Sequence, residues 1–369
     1  MRTALVHDWL TGMRGGEKVL DALCDVFPAA DLFTMVQVPG TTSAKIERRR
    51  VSRSPVQRLP AAGRLYRQYL PLFPFAVEQF DLDGYDLVIS TSHCAAKSVV
   101  VPGRARHLCY CLTPMRYAWD QFDAYFGPER IGARRSAALR PILAWLARWD
   151  RDTAHRVHRY LAISQYVARR IGLYYNREST IVYPPVDTEF FTPERVPVSP
   201  RFLIVSALVP YKRVDFAMIA ARRAGVALTI VGDGPERAAL DALAGGSVEV
   251  VGRKSDSEIR ELYRSSIATV LPGEEDFGIV PVEAQACGRP VMALARGGAL
   301  DTVIPGVTGL LVNDLSVEAL EDGFRATLNH EWDSGAIRAH AERFSLDSFR
   351  HGIAKAADEL MAAPPDQSW

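Results

Sequence analysis

Long apolar runs are missing from this chain of 369 residues. None approaches the roughly 18 residues that cross a bilayer, so no membrane-spanning helix is expected. The opening Met1-Arg2-Thr3-Ala4-Leu5-Val6-His7-Asp8 has no extended apolar stretch and no small-residue cleavage site, so no secretory leader is expected there. Cysteine is scarce: Cys24, Cys94, Cys109, Cys111 and Cys287 are odd in number, lie among apolar residues and lack C-x-x-C spacing. That argues against a disulfide framework or a zinc site and fits a reducing cytoplasm. Charge of one sign is lacking too. With 44 Lys+Arg against 43 Asp+Glu, the net charge of +1 excludes a nucleic-acid binder working by bulk basicity. Neither a G-x-x-x-x-G-K-[ST] loop nor a G-x-G-x-x-G fingerprint occurs, so the P-loop and dinucleotide readings fail.

What is present is a globular balance, 48% hydrophobic and 24% charged, at a length that suits two domains. The near-neutral total hides a split. Residues 1–190 carry 26 basic against 18 acidic side chains (+8), and residues 191–369 carry 18 against 25 (−7). An acidic partner for the first half follows from that asymmetry.

Apolar runs of strand length alternate with helix-length segments. Strands are predicted at Thr3–His7, Asp31–Val36, Asp86–Ser90, His107–Thr113, Tyr160–Ile163 and Thr180–Tyr183. Helical segments are predicted after Gly16, near Arg58–Gln79, over Arg130–Arg159 and from Ser164, with a polar, basic stretch around Lys45–Arg53. Five prolines between Pro184 and Pro200 mark a stiff linker. The alternation then restarts, with strands at Phe202–Leu208, Ala227–Val231, Val248–Val251, Ile267–Leu271, Pro290–Ala295 and Gly309–Val312. Continuous apolar strands between helices predict parallel sheets covered on both faces. The expected fold class is α/β, with one domain over residues 1–190 and a second over residues 191–345. Residues 346–369 are expected to form an amphipathic helix packing back on the first domain, followed by a loose tail.

Ligands of open parallel sheets bind beyond the carboxyl ends of the strands, so the loops there are the place to look. In Gly12–Lys18, Gly15 and Gly16 precede a helix, where backbone N–H groups can approach an anion. An ordinary strand-to-helix turn explains that loop equally well. Gly232-Asp233-Gly234-Pro235 reads mainly as architecture. The most informative string is Pro272-Gly273-Glu274-Glu275-Asp276-Phe277-Gly278-Ile279-Val280-Pro281-Val282-Glu283-Ala284-Gln285-Ala286-Cys287-Gly288. Pro281 is placed to open a helix that Gly288 ends, with Glu275 in the loop before it and Glu283 in its first turn. Two carboxylates beside a helix N-terminus suit sugar and ribose hydroxyls next to a diphosphate. Taken alone, Glu283 is explained as well by complementing the helix dipole.

These residues resemble the signature of the retaining nucleotide-sugar glycosyltransferases of family 4: Glu-x7-Glu, a small-residue helix, Gly-x-Pro-Val and a Gly-Gly loop. Glu275 and Glu283 have that spacing, followed by Gly288-Arg289-Pro290-Val291 and Gly297-Gly298-Ala299-Leu300-Asp301. Leu208-Val209-Pro210-Tyr211-Lys212-Arg213, Val231-Gly232-Asp233-Gly234-Pro235-Glu236 and Thr308-Gly309-Leu310-Leu311-Val312 extend the match. In the first half, His7-Asp8-Trp9-Leu10, Gly15-Gly16-Glu17-Lys18, the run from Thr113 to Asp120 and Tyr183-Pro184-Pro185-Val186-Asp187 look like the mannosyltransferase-type branch. The resemblance implies the GT-B fold, two Rossmann-like domains facing across a cleft. By position it implies that Lys212 binds the donor diphosphate, Glu283 the nucleotide ribose and Glu275 the transferred sugar. Backbone N–H groups of Phe277, Gly278 and Ile279 would assist, Arg253 would lie near the base, and Gly15 and Gly16 would approach the diphosphate from the other domain. Arg116, Tyr117 and Asp120 become acceptor-side candidates. Guanosine-diphosphate-mannose is the implied donor, with no cofactor and no metal, the basic ligands of the diphosphate taking a cation's place.

Two positions depart from the family pattern. Ala207 stands where many relatives have a second diphosphate-clamping arginine, for which Arg213 is the nearby substitute. Leu112 stands where many have a histidine near the anomeric centre, which leaves His93 as the nearest alternative catalytic group. Basic and aromatic residues interleave over Arg58–Phe80 and Arg130–Arg159, as an anionic membrane surface or a lipid-diphosphate acceptor requires, although a core stripe with a solvated arginine face is the plainer explanation. A lipid-linked or oligosaccharide acceptor and peripheral placement on the inner face of the cell membrane are the resulting expectations. Transfer of another sugar, a soluble acceptor, and non-catalytic nucleotide-sugar binding stay open as alternatives.

Overall fold

The computed structural model describes residues 1–364. The chain forms two compact units: Met1–Pro185 joined by the chain from Phe349 onward, and Val186–Ser348.

The first unit is built on a seven-stranded sheet ordered β3-β2-β1-β4-β5-β6-β7. Its strands are β1 (Thr3–Leu10), β2 (Asp31–Gln37), β3 (Val51–Arg53), β4 (Leu87–Ser92), β5 (Arg106–Cys111), β6 (Arg159–Ala162) and β7 (Thr180–Ile181). All neighbours run parallel. Every residue of β1 is buried, as a central strand covered on both faces must be. The three-residue β3 lies inside the basic stretch that showed no strand signal; it pairs only with β2, Leu32 opposite Val51, so it needs no apolar run. Arg58–Gln79 is not one helix. It breaks into short turns at Pro55–Arg58, Ala62–Leu65, Tyr66–Leu72 and Phe73–Val77, where Pro71 and Pro74 interrupt the hydrogen-bond ladder. The arginine-rich stretch likewise divides at Gly132 into Pro128–Ile131 and Ala133–Asp152, with a last turn at Ala154–Arg156.

Helix Leu346–Ala362 contributes its residues from Phe349 on to this first unit. The Phe349 ring meets Tyr110 edge-on at 5.5 Å, and the Arg159 guanidinium donates to Ala356 O and to Glu359. The end of the tail lies outside the described residues.

The second unit has a six-stranded parallel sheet ordered β10-β9-β8-β11-β12-β13. The strands are β8 (Arg201–Val205), β9 (Ala227–Val231), β10 (Val248–Gly252), β11 (Thr269–Leu271), β12 (Val291–Leu294) and β13 (Gly309–Val312). Phe202, Ile204, Leu228, Ile230, Val270 and Met292 fill its core with Met218 and Phe324 from the covering helices. Full burial stabilises by about 1.5–3 kcal/mol per large side chain. The proline-rich connection belongs to this unit from Val186, not from residue 191: Val186 N–H donates to Phe344 O, and the Arg264 and Arg338 guanidinium groups donate to the carbonyls of Thr192 and Phe191.

Candidate functional site

At the carboxyl edge of the second sheet, the loop after β8 tightens into a single turn, Pro210–Lys212, and the loop after β11 runs from Pro272 to Gly278 before helix Ile279–Ala286. Gly273 lets these two loops touch, because a Cβ there would lie 2.6 Å from Lys212 Cα. The buried Lys212 ammonium consequently forms an ion pair with Glu275. From the other side, the loop after β12 supports the same backbone. Gly298 N–H donates to Glu275 O at 2.8 Å, and a Cβ on Gly298 would sit 2.3 Å from Phe277 Cα. Phe277 is buried, its ring 5.6 Å from Phe344, so this residue anchors the loop through its side chain.

The helix starts two residues earlier than Pro281 predicts. Gly278 takes the left-handed conformation (φ 86°), and Pro281 sits third in the helix, where its missing N–H costs nothing. Glu283 is therefore in the second turn rather than the first, beyond the reach of most of the helix dipole. Its carboxylate accepts a hydrogen bond from Tyr263 Oη at 3.0 Å, and both residues are buried. Burial, reinforced by Glu283, holds the Tyr263 phenol well above its usual range, so it stays a donor. Nothing in the sequence flagged Tyr263, which comes from helix Asp256–Ser265. Lys212, Glu275, Phe277, Gly278, Ile279 and Glu283 thus converge on one edge. Arg213 does not join them: its guanidinium lies 3.6 Å over the Phe216 ring and pairs with Asp215. Arg253 is exposed after β10, with Asp233 as its partner in the neighbouring loop.

In the first unit, Gly15 and Gly16 open helix Gly15–Val26 just after β1. A Cβ on Gly16 would meet Leu112 Cδ1 at 3.0 Å and the His7 ring at 3.5 Å, so this helix start packs directly on the sheet. His93 follows β4, and its Nδ1 lies 3.0 Å from the buried Asp8 carboxylate. Asp8 also accepts the backbone N–H groups of His93, Cys94, Ala95 and Ala96 at 2.7–2.9 Å. Burial alone would raise the Asp8 pKa; His93 and the amide donors outweigh it and bring it down to about 2. Asp8 had no assigned role in the sequence, since its partners are some 85 residues away. Tyr117 is half-buried with its hydroxyl on Cys94 Sγ, and Asp120 is held by Arg170 and Tyr174. Both are tied into the fold, and Arg116 is half-buried beside them. Asp81-Leu82-Asp83 has the spacing of a paired-aspartate motif but precedes β4, at the opposite edge, where Asp81 caps its own turn.

The basic–aromatic segments divide between core and surface. Tyr66, Leu70, Phe73, Leu143 and Leu146 are core. Leu72, Phe75 (67% exposed) and Trp145 stay on the surface, as do Arg58, Arg64, Arg67, Arg134, Arg135 and Arg148. Among the described residues, no helix is long and apolar enough to cross a membrane.

Residues 13–190 match the family model described as Glycosyltransferase Family 4, and residues 186–344 match Glycosyl transferases group 1. An uncharacterized glycosyltransferase of Methanocaldococcus jannaschii is 29% identical over 54% of this chain and 59% of its own. A D-inositol 3-phosphate glycosyltransferase of Mycolicibacterium smegmatis is 29% identical over 50% of this chain and 46% of its own. The chain thus spans about half the length of the curated relatives it matches. In fold it is similar to Anabaena HepE, solved with UDP and glucose, at a TM-score of 0.71 and 19% identity over 97% of this chain and 100% of that one. The lipopolysaccharide outer core galactosyltransferase WaaB gives 0.67 at 17% identity, over 97% and 100%. The family 4 match thus lies on the first parallel α/β unit and the group 1 match on the second, the two meeting near residue 186, and the fold is that of the GT-B glycosyltransferases.

Proposed function

We propose that the chain is a retaining hexosyltransferase that moves a sugar from a nucleotide sugar to an acceptor hydroxyl without a metal. The observation that carries this reading is the Lys212–Glu275 pair at the start of helix Ile279–Ala286, with Glu283 held by Tyr263 behind it. Lys212 and the helix N-terminus neutralise the diphosphate as it leaves. Glu283 accepts the ribose hydroxyls, and Glu275 accepts a hydroxyl of the transferred sugar. The leaving diphosphate oxygen takes the acceptor's proton on the face where the new bond forms, so the anomeric configuration is kept and no protein nucleophile is needed. The protein contributes position and preorganised charge.

The motifs of the first half support mannose from guanosine-diphosphate-mannose as the donor. A uridine donor is the second reading, favoured by the UDP and glucose of HepE. For the acceptor we favour a lipid-linked or polysaccharide glycan, reached from the inner face of the cell membrane. Exposed Leu72 and Phe75 among Arg58, Arg64 and Arg67 support that placement. Thermal shift against GDP, UDP and their sugars tests the donor: the cognate ligand at 100 times its Kd raises stability by about 2.7 kcal/mol. Stabilisation by uridine compounds alone rejects the mannose reading. Transfer should persist in chelator; complete loss that magnesium or manganese restores rejects the metal-free reaction. Binding without any transfer or donor hydrolysis marks a non-catalytic binder instead.

A further inference from the structure

At the amino edge of the first sheet, a cavity of about 330 Å³ lies between the loop entering β5 and the turn entering β6. The loops that carry Gly15, Lys212 and Glu275 leave the carboxyl ends of strands, so the cavity is separate from them. Val100, Val101 and Pro102 give it an apolar wall, with Gly103 beside them, and the turn supplies His155, Arg156 and His158. The two rings are fixed as opposite tautomers. His155 Nδ1 meets Asp152 O at 2.6 Å; a carbonyl only accepts, so Nδ1 carries the proton and Nε2 is left as an acceptor. His158 Nδ1 instead accepts the His107 N–H at 3.0 Å, so the proton of the neutral ring sits on Nε2, which becomes a donor. Burial, and then the charges of Arg106 and Arg177, lower the His158 pKa and keep that ring neutral. The Arg177 guanidinium donates to the carbonyls of Ala154 and His158, both at 3.1 Å, while Arg156 is committed to Ser98 O and Glu78, each at 2.6 Å. Asp152 is paired with Arg151, so Arg106, Arg156 and Arg177 outnumber Glu78 around the two rings and favour an anion there.

We propose that this cavity binds a small phosphate monoester, one phosphoryl oxygen accepting from His158 Nε2–H and a second sharing a proton with His155 Nε2. Phosphate monoesters lose their second proton at about pH 6, so that proton is available to bridge oxygen and ring. A sulfate ester offers acceptors alone and would set a lone pair against His155 Nε2. A bare phosphate would leave most of the volume empty, so the ligand has a carbon body, which rests on Val100, Val101 and Pro102. Neither the donor residues nor the nucleotide-sugar reading enters this assignment.

Isothermal titration at pH 6.5 with phenyl phosphate, phenyl sulfate and inorganic phosphate tests it. Wild type should bind phenyl phosphate about tenfold more tightly than phenyl sulfate, which lacks the bridging proton, or inorganic phosphate, which lacks the apolar body. His158→Asn keeps an acceptor for the His107 amide but has no Nε2–H, so it should lose about tenfold in affinity for phenyl phosphate with its melting temperature unchanged. His155→Asn keeps a donor for Asp152 O and should erase the preference for phosphate over sulfate. Gly103→Leu, at a position where a Cβ meets nothing within 4 Å, should fill the cavity and weaken phenyl phosphate more than inorganic phosphate. Undiminished phenyl phosphate binding by His158→Asn, or no binding by wild type, overturns the site. Binding lost in Lys212→Ala but kept in His158→Asn puts the anion on the second unit and overturns it as well. Vesicles containing phosphatidic acid present the same headgroup chemistry; capture on them that requires His158 and that phenyl phosphate cannot displace overturns the soluble ligand in favour of a lipid.

Discussion

Lys212 pairs with Glu275, and on the proposed reading a donor diphosphate would exchange one partner of the ammonium for another. This gives the site variants different signs. Lys212→Ala and Glu283→Ala remove contacts made in ground state and transition state alike, and each should weaken nucleoside-diphosphate binding about 10- to 100-fold, the worth of a hydrogen bond to a charged group. Glu275→Ala should instead leave bare diphosphate binding unchanged or tighter, because it removes a carboxylate that competes for Lys212. Its cost falls on turnover, about 2.7–4 kcal/mol of barrier, where charge develops on the sugar. Titration calorimetry beside initial rates separates the two patterns, and uniform wild-type binding in all three variants contradicts the geometry. At this scale Glu275 and Glu283 stood out within one stretch of sequence, whereas Lys212 was singled out only by the resemblance to family 4. Tyr263 and Asp8 were not, since a hydrogen bond across 20 or 85 residues leaves no local trace.

Among the elements, the loop carrying Glu275 and Phe277 is gripped from both sides by backbone that only glycine permits. Gly298→Ala would force a Cβ to 2.3 Å from Phe277 Cα and O, so the loop must move. We expect a loss of about 1–3 kcal/mol of stability, with weaker sugar-nucleotide binding alongside. Urea unfolding measures it, against Gly103→Ala, where the new methyl meets nothing within 4 Å. A Gly298→Ala protein as stable and as competent as wild type refutes this gripping role. Apart from β3, the strands were legible to within three residues at either end, because parallel strands buried on both faces are continuous apolar runs. The basic–aromatic segments were less so. Their apolar residues gave a helical period, but Pro71, Pro74 and Gly132 divide the backbone, and the edge strand Val51–Arg53 has no apolar period at all.

For the whole molecule, acid sensitivity follows from buried imidazoles. Burial pulls the pKa values of His7 and His107 down to about 3, and it lowers His158 and His340 as well. Unfolded histidine titrates near 6.5. Between those values the unfolded chain binds protons that the folded chain excludes, so stability is complete above about pH 6.5 and falls as pH drops toward 3, by about 1.4 kcal/mol per pH unit for each fully buried ring. Asp8, lowered to about 2, adds its own loss only below about pH 4. Urea midpoints from pH 7 to 4.5 should therefore decline steeply, and His107→Gln should flatten the slope by about one proton; a flat wild-type profile contradicts the assignment. Another whole-chain property comes from the helix whose residues from Phe349 onward pack with Tyr110 and Arg159. The first unit is written in two pieces, with the second unit inserted between them. A ribosome finishes the inserted unit before it delivers the helix that completes the earlier one. The nascent first unit must therefore wait through more than 160 residues of synthesis with part of its apolar surface uncovered, at roughly 5–20 residues per second. In this protein the unit begun first is closed last.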